Sequence, residues 1–289
     1  MSKFYLWLGL FIIFTAIASS LPDEGIDSVP PIRKQPIREE QAPPLKDISP
    51  EGQGKLREKS RSDRTFQITV QEKEKGTIST GTAFSLSEDG IWVTARHVTS
   101  GCTKLAVLKT ARKGYRVNEV IEHPTADVSI LKTSFGAKPF TLNHEDLEYN
   151  TEGFHFGYPR GEPGNVYSRL IGRRIMKTRG AKNDKESVLV WAEKVRQPDN
   201  DLSLGGISGG PVVNKEGHIV GVHVAGSIRR GRSYTSLPEK VTQLLQNTDY
   251  SVGEPITAPD GRYHLDNLKK TGMELRKQLS VAKVLCFVK

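Results

Sequence analysis

The sequence predicts an all-β core, and three observations carry that reading. Short apolar runs rich in Val, Ile, Phe and Trp recur along its middle. Gly, Pro, Asn or Asp separates many of them. A single helix stands out beside them, so strands dominate. In chain order, strands are expected at 66–70, 82–86, 91–93, 104–108, 115–121, 128–131, 188–191, 211–214 and 218–224. The helix is expected at 238–245, where Pro238 follows Ser236 and Leu237. A first-turn proline suits a helix because its missing N–H has no partner to lose there. A further helix fits 268–279, ahead of an apolar run at 281–288.

The termini divide the chain. Met1-Ser2-Lys3 makes a short basic start and residues 4–18 an apolar run, with Ala16 and Ala18 spaced for cleavage after Ala18 and Ser20 as a second choice. That is the pattern of a secretory leader over 1–20, or of a retained N-terminal anchor, and it is short for a spanning helix. Residues 21–63 are rich in Pro, Gln, Glu, Lys and Arg and poor in aromatics, so they are expected to form a flexible tether or propeptide. The folded domain is expected over 64–248, with 249–289 as a helical and extended C-terminal extension packing on it.

Gly205-Gly206-Ile207-Ser208-Gly209-Gly210-Pro211 is the most informative run. Small residues on both sides of Ser208 let main chain approach a ligand closely, with the N–H groups of Gly206 and Ser208 aimed at one point. A serine that attacks a carbonyl needs that arrangement, because negative charge develops on the carbonyl oxygen. Most glycine-rich turns are only turns, and two upstream pieces set this one apart. Val93-Thr94-Ala95-Arg96-His97 delivers a histidine at a strand end. His123-Pro124-Thr125-Ala126-Asp127 places an aspartate at the mouth of a strongly apolar strand. A carboxylate there is costly unless it has a partner, and an imidazole N–H is a suitable one. Singly, His97 reads as a satisfied structural residue and Asp127 as a turn residue. Together, in the order His, Asp, Ser, they point to nucleophilic catalysis.

The chain resembles the trypsin/chymotrypsin-like serine proteases, in their short exported bacterial form, over roughly residues 64–245. Gly81-Thr82-Ala83-Phe84, Thr94-Ala95-Arg96-His97, Asp127-Val128-Ser129-Ile130-Leu131 and Gly206-Ile207-Ser208-Gly209-Gly210-Pro211 carry the resemblance. It implies a double β-barrel of the chymotrypsin type and a serine endopeptidase. His97 would be the general base, Asp127 its orienting partner, Ser208 the nucleophile, and Gly206 and Ser208 the oxyanion donors. The strand at 219–226 would pair with substrate main chain and wall the specificity pocket through His223, Val224, Ala225 and Gly226. The stretch Gly221-Val222-His223-Val224-Ala225-Gly226 is similar to one in glutamyl endopeptidases, which implies an acidic or amide side chain before the cut, met by His223 with help from Ser203. The alternative is a histidine that only fills space.

Departures from the family narrow the reading. Ile207 stands where digestive trypsins carry an activating aspartate, so no zymogen switch of that kind is expected. Leu202 stands where trypsins carry the aspartate that selects Lys or Arg. The residues after Gln246 are expected to be too few for the peptide-binding PDZ module of the high-temperature-requirement proteases. Cys102 and Cys286 are the two cysteines, and an exported pair is a candidate disulfide.

The formal charge is +9. Its basic residues are dispersed, with no aromatic interleaving and no nucleic-acid-binding motif, so no nucleic acid partner is expected. Weak attraction to anionic envelope surfaces remains as a modest expectation. No metal-ligand or nucleotide motif occurs, and no cofactor or metal is expected. The expected partner is a protein or peptide substrate, outside the cytoplasm, in the periplasm or secreted. Two rivals remain: a protease fold kept only for peptide binding, and an esterase using the same three residues.

Overall fold

The computed structural model describes residues 25–26, 47–180, 183–199, 203–250 and 263–289. The expected leader, most of the expected tether and Leu202 lie outside them. Strands β1 (Gly25–Ile26), β2 (Thr65–Val70), β3 (Ile78–Ser87) and β4 (Ile91–Thr94) lead to a single turn of helix, α1 (Arg96–Thr99). Strands β5 (Lys104–Leu108), β6 (Gly114–Glu122) and β7 (Ser129–Thr133) follow. The second half holds β8 (Glu152–Gly157), β9 (Gly164–Gly180), β10 (Lys185–Gln197), β11 (Pro211–Val213), β12 (Ile219–Ser227) and β13 (Arg232–Ser236). Helix α2 (Pro238–Leu245), helix α3 (Leu268–Lys277) and β14 (Val281–Phe287) come last.

Two antiparallel rings result. In the first, β3, β4, β7, β6, β5 and β14 pair in that circular order. In the second, β8, β9, β10, β13, β12 and β11 do so, with β2 added in parallel to β9. This is the double barrel that the resemblance implied. The barrels share a core in which Phe84, Phe140, Phe154, Phe156, Val222 and Val281 are buried together. Each barrel also buries a tryptophan whose indole N–H is satisfied. Trp92 Nε1 donates to Thr133 Oγ1 at 3.0 Å, and Trp191 Nε1 donates to Thr235 Oγ1 at 3.0 Å. Burying the ring without that partner would forfeit much of the gain.

The structure extends the sequence reading in three places. Strands β1, β8, β9 and β13 had no expected counterpart. Strand β9 carries Arg169, Arg173, Lys177 and Arg179 at partly or fully exposed positions, and its register with β10 shifts opposite Gly172, so alternation breaks mid-strand. Residues 47–63, read above as flexible, lie along the second barrel. Leu56 is buried in a cluster with Leu170 and Trp191, and its N–H donates to Leu147 O at 2.7 Å. Asp63 is buried with Arg57 as its ion-pair partner. Glu51 adds an ion pair to the buried Arg174 of β9 and donates its N–H to Ile171 O at 2.9 Å, and these contacts together hold a segment whose composition alone looks unfoldable.

The third place is the C-terminal segment, which does more than pack on the core. Strand β14 is a stave of the first barrel, set between β3 and β5. Helix α3 docks beside β9, where a Cβ on Gly272 would lie 2.3 Å from Asn165 Oδ1, so only glycine allows that approach. Cys102 and Cys286 form a disulfide, Cα atoms 5.4 Å apart, tying the loop after α1 to β14. Replacing both by alanine is expected to lower stability by about 2–5 kcal/mol. Urea unfolding of the double variant beside the native chain measures it, and coincident midpoints would contradict it.

Candidate active site

The His97 and Asp127 residues meet at two points. Strand β4 ends at Thr94, and α1 turns the chain so that His97 faces the loop entering β7. The His97 main-chain N–H donates to Asp127 Oδ1 at 2.8 Å, and its ring Nδ1 lies 2.7 Å from Asp127 Oδ2. An ionised carboxylate only accepts, so Nδ1 carries the proton and Nε2 is left as the basic nitrogen. The ring is one-quarter exposed and the carboxylate nearly buried. Burial raises the Asp127 pKa, but the His97 charge, the two His97 hydrogen bonds and Arg96 outweigh it and hold the pKa below its ordinary value.

The loop that presents Asp127 is fixed by residues that sequence reasoning had left as structural or had not singled out. His123 Nδ1 accepts from Thr125 N–H at 3.1 Å and Ala126 N–H at 2.9 Å. Its Nε2–H must therefore be the protonated side, donating to Gln243 Oε1 on α2 at 3.0 Å. Burial, chiefly, lowers the His123 pKa, which keeps that tautomer neutral. Arg96 donates through Nη1 to His123 O at 2.7 Å, while its Nη2 pairs with Asp184 ahead of β10. From β10 itself, Glu186 Oε2 accepts the Asp127 main-chain N–H at 2.9 Å. Arg96 lies inside a legible motif; His123 and Glu186 gave no sign in sequence of these roles.

The Ser208 turn is braced by β3. Thr82 N–H donates to Ser208 O at 2.9 Å, and Thr82 Oγ1 donates to Gly206 O at 2.8 Å while accepting Tyr158 N–H at 3.0 Å. Gly206 and Gly209 have φ of +98° and +85°, and a Cβ on Gly209 would fall 2.2 Å from both Thr82 O and Thr94 Oγ1. The turn therefore sits hard against the strand ends that lead to His97. Arg160 N–H donates to Gly205 O at 2.5 Å. A trans peptide points its N–H opposite its C=O, so the Gly206 N–H faces away from Arg160. Among the described residues no main-chain acceptor takes the Gly206 or Ser208 N–H. Ile207 is buried, and a Cβ on Gly157 would lie 2.7 Å from its Cγ1; an aspartate here would have needed a cation. The C-terminal segment reinforces this wall, since Arg276 on α3 donates to Gly157 O at 2.9 Å and Asn165 Oδ1 at 2.8 Å.

A cavity of about 220 Å³ opens beside Ser208. Ser203, Leu204 and Gly205 line one side, and Ala225 and Gly226 of β12 another, with His223 also at the wall. Val224, assigned to this wall by the resemblance, turns instead into the core among Val190 and Tyr234, on the face opposite His223 and Ala225. Glu193 and Arg196 also line the cavity, both buried and ion-paired, with Ser233 Oγ donating to Glu193 Oε1 at 2.6 Å. Behind His223, Nδ1 lies 3.3 Å from His155 Nδ1, and His155 Nε2 lies 2.7 Å from Ser168 Oγ. Burial, then the His97 charge, lowers the His223 pKa to about 3, so its ring is neutral.

Residues 81–222, a stretch containing His97, Asp127 and Ser208, match the family model of the trypsin-like peptidase domain. The chain carries a trypsin-like peptidase domain. Over 147 residues it is 29% identical to a probable periplasmic serine endoprotease, DegP-like, of Chlamydia trachomatis, covering 50% of this chain and 28% of that protein. Over 185 residues it is 25% identical to the serine protease HTRA1 of Xenopus tropicalis, covering 62% of this chain and 38% of that one. The trypsin-like domain therefore spans well under half the length of these relatives. In fold it is similar to the active form of the Rv3671c protease of M. tuberculosis, with TM-score 0.50, 17% identity, and coverage of 70% of this chain and 96% of that one.

Proposed function

We propose that this chain is an exported serine endopeptidase. The observation that carries the reading is the two-point seat of His97 on Asp127, beside the braced glycine turn of Ser208. Ser208 Oγ attacks the scissile carbonyl while His97 Nε2 takes its proton. Asp127 steadies the imidazolium, and the Gly206 and Ser208 N–H groups receive the oxyanion. His97 then protonates the leaving amine, and water releases the acyl group. Export is supported by the leader pattern of residues 1–20, by the periplasmic naming of the Chlamydia relative, and by a disulfide that suits an oxidising compartment.

A polar side chain suits the 220 Å³ cavity. If Ser168 Oγ–H donates to Gly153 O, at 3.3 Å, it accepts from His155 Nε2–H; His155 Nδ1 then accepts from His223 Nδ1–H, and His223 Nε2 is an acceptor. If Ser168 turns its hydroxyl to His155, both tautomers reverse and His223 Nε2–H becomes a donor. A glutamate at the cut selects the second arrangement. His223→Ala is expected to lower kcat/KM on glutamyl peptides by about 10- to 100-fold, the worth of one hydrogen bond to a charged group, with little change for alanyl peptides. Equal losses on both would point to a packing role.

Fluorophosphonate labelling tests the reading as a whole. Native protein is expected to label at Ser208, Ser208→Ala not at all, and His97→Ala only slowly, with peptide-bond cleavage following the same order. A well-folded native domain that never labels would overturn the proposal and leave a peptide-binding module. Labelling with ester turnover and no peptide cleavage would leave an esterase.

A further inference from the structure

One buried ionisable group takes no part in the chemistry of Ser208, and yet it touches the catalytic pair. Glu186 is 4% exposed on β10 of the second barrel, while Asp127 belongs to the first. Glu186 Oε2 accepts the Asp127 main-chain N–H at 2.9 Å, and Oε1 has no partner of good hydrogen-bond geometry among the described residues, although the Ser236 hydroxyl lies near enough to favour the charged carboxyl. A buried carboxyl with one unmet oxygen is expensive, and a fold seeking only stability would place an amide or an apolar side chain there. Its neighbours are of both signs. Asp127 and, beyond it, Arg96 and His97 face it from the first barrel, and Ser236 from β13. Lys240 and Glu239 of α2, Arg173 of β9, Lys185 of β10, and Lys55, Glu58, Lys59 and Arg61 of the leading segment line the same groove of about 840 Å³, with Asp146 at its rim.

Resting on the serine-peptidase reading, we propose that Glu186 is a positioning residue for the catalytic pair, its carboxylate gripping the Asp127 main chain and lending negative charge to the His97 imidazolium. A charged acceptor strengthens the bond to the Asp127 N–H, which fixes the loop that aims the Asp127 carboxylate at His97. The same charge favours the imidazolium formed as Ser208 is deprotonated. Once protonated, Glu186 loses both effects while its side chain stays in place. Burial, chiefly, raises its pKa to about 7, so this change falls in the neutral range.

The sign of the linkage separates this role from a structural one. The unfolded carboxyl ionises near 4.5 and the folded one near 7, so stability is lost as pH rises through that window and the loss is complete above it. Glu186→Gln, which mimics the protonated side chain, is therefore expected to melt higher than native protein at pH 8, and yet to react more slowly.

The test measures the second-order rate of fluorophosphonate labelling of native chain and Glu186→Gln from about pH 5 to 9, where the acidic limb reports groups of the free enzyme. The native-to-variant ratio is expected to be near one at the acidic end and to rise several-fold through a single-proton step near neutrality. Glu186→Asp, ionisable but shorter, is expected to keep part of that step. A ratio that does not change with pH overturns the inference while Ser208-dependent labelling still stands. Loss of labelling in folded native chain overturns the reading beneath it, a distinct result. If the glutamine variant fails to fold, the aspartate variant decides, since a pH-independent ratio there overturns the inference equally.

Discussion

Truncation after Ser280 is expected to leave the first barrel without a cooperative fold. It removes β14, whose Val281, Val284 and Leu285 are fully buried. Each is worth about 1.5–3 kcal/mol when taken out of water, and together they rival the about 5–15 kcal/mol by which a whole domain is stable. The loss also exposes facing edges of β3 and β5, whose main-chain groups have no other partner strand there. Thermal unfolding followed by near-ultraviolet circular dichroism would show no cooperative transition. A separate peptide covering 281–289, added to the truncated chain, should restore one. A truncated chain that melts within a few degrees of the full chain would refute the argument.

Ser208→Ala is expected to lower kcat by about 10⁶, and Asp127→Asn by about 10⁴. The gap has a structural origin. Without Oγ there is no nucleophile, and only the oxyanion donors and bound geometry remain. In Asp127→Asn the side chain keeps its shape, but its new NH₂ cannot accept the His97 main-chain N–H, so it turns to ring Nδ1, which can meet it only as an acceptor. The ring then favours the tautomer whose Nε2 bears the proton and cannot act as base. Active-site titration beside single-turnover kinetics distinguishes the two losses. Equal defects in both variants would mean that Asp127 does more than set the tautomer.

The motifs of the proposed catalytic site were legible because each is local. Thr94-Ala95-Arg96-His97 and Gly206-Ile207-Ser208-Gly209-Gly210-Pro211 each encode a backbone shape within a few residues, and the glycines at 206 and 209 are dictated by positive φ. The helix at Pro238–Leu245 was legible for the same reason. Residues that act across the molecule were not. Glu186 follows Lys185 at the charged start of β10, and nothing local says that its carboxyl meets Asp127. Arg276 reads as a solvated helix residue, yet it closes the ends of β8 and β9. His155 and His223 lie 68 residues apart and become a pair only when β8 and β12 flank β11. Val224 was placed on the pocket wall by resemblance alone, although alternation sets it opposite His223, on the face that enters the core.

The position of β14 also sets the order in which the domain assembles. Domains usually fold from the N-terminus as they are made, and early strands close on one another first. Here the first barrel's five other strands wait, since the sixth follows every strand of the second barrel in the chain. His97 lies on the far side of that wait, its helical turn tied to β14 through the Cys102–Cys286 disulfide. A chain still emerging would thus carry the Ser208 turn beside an unclosed first barrel until the final strand arrived. Under the proposed function, attack by an unfinished chain on itself is disfavoured by chain order alone.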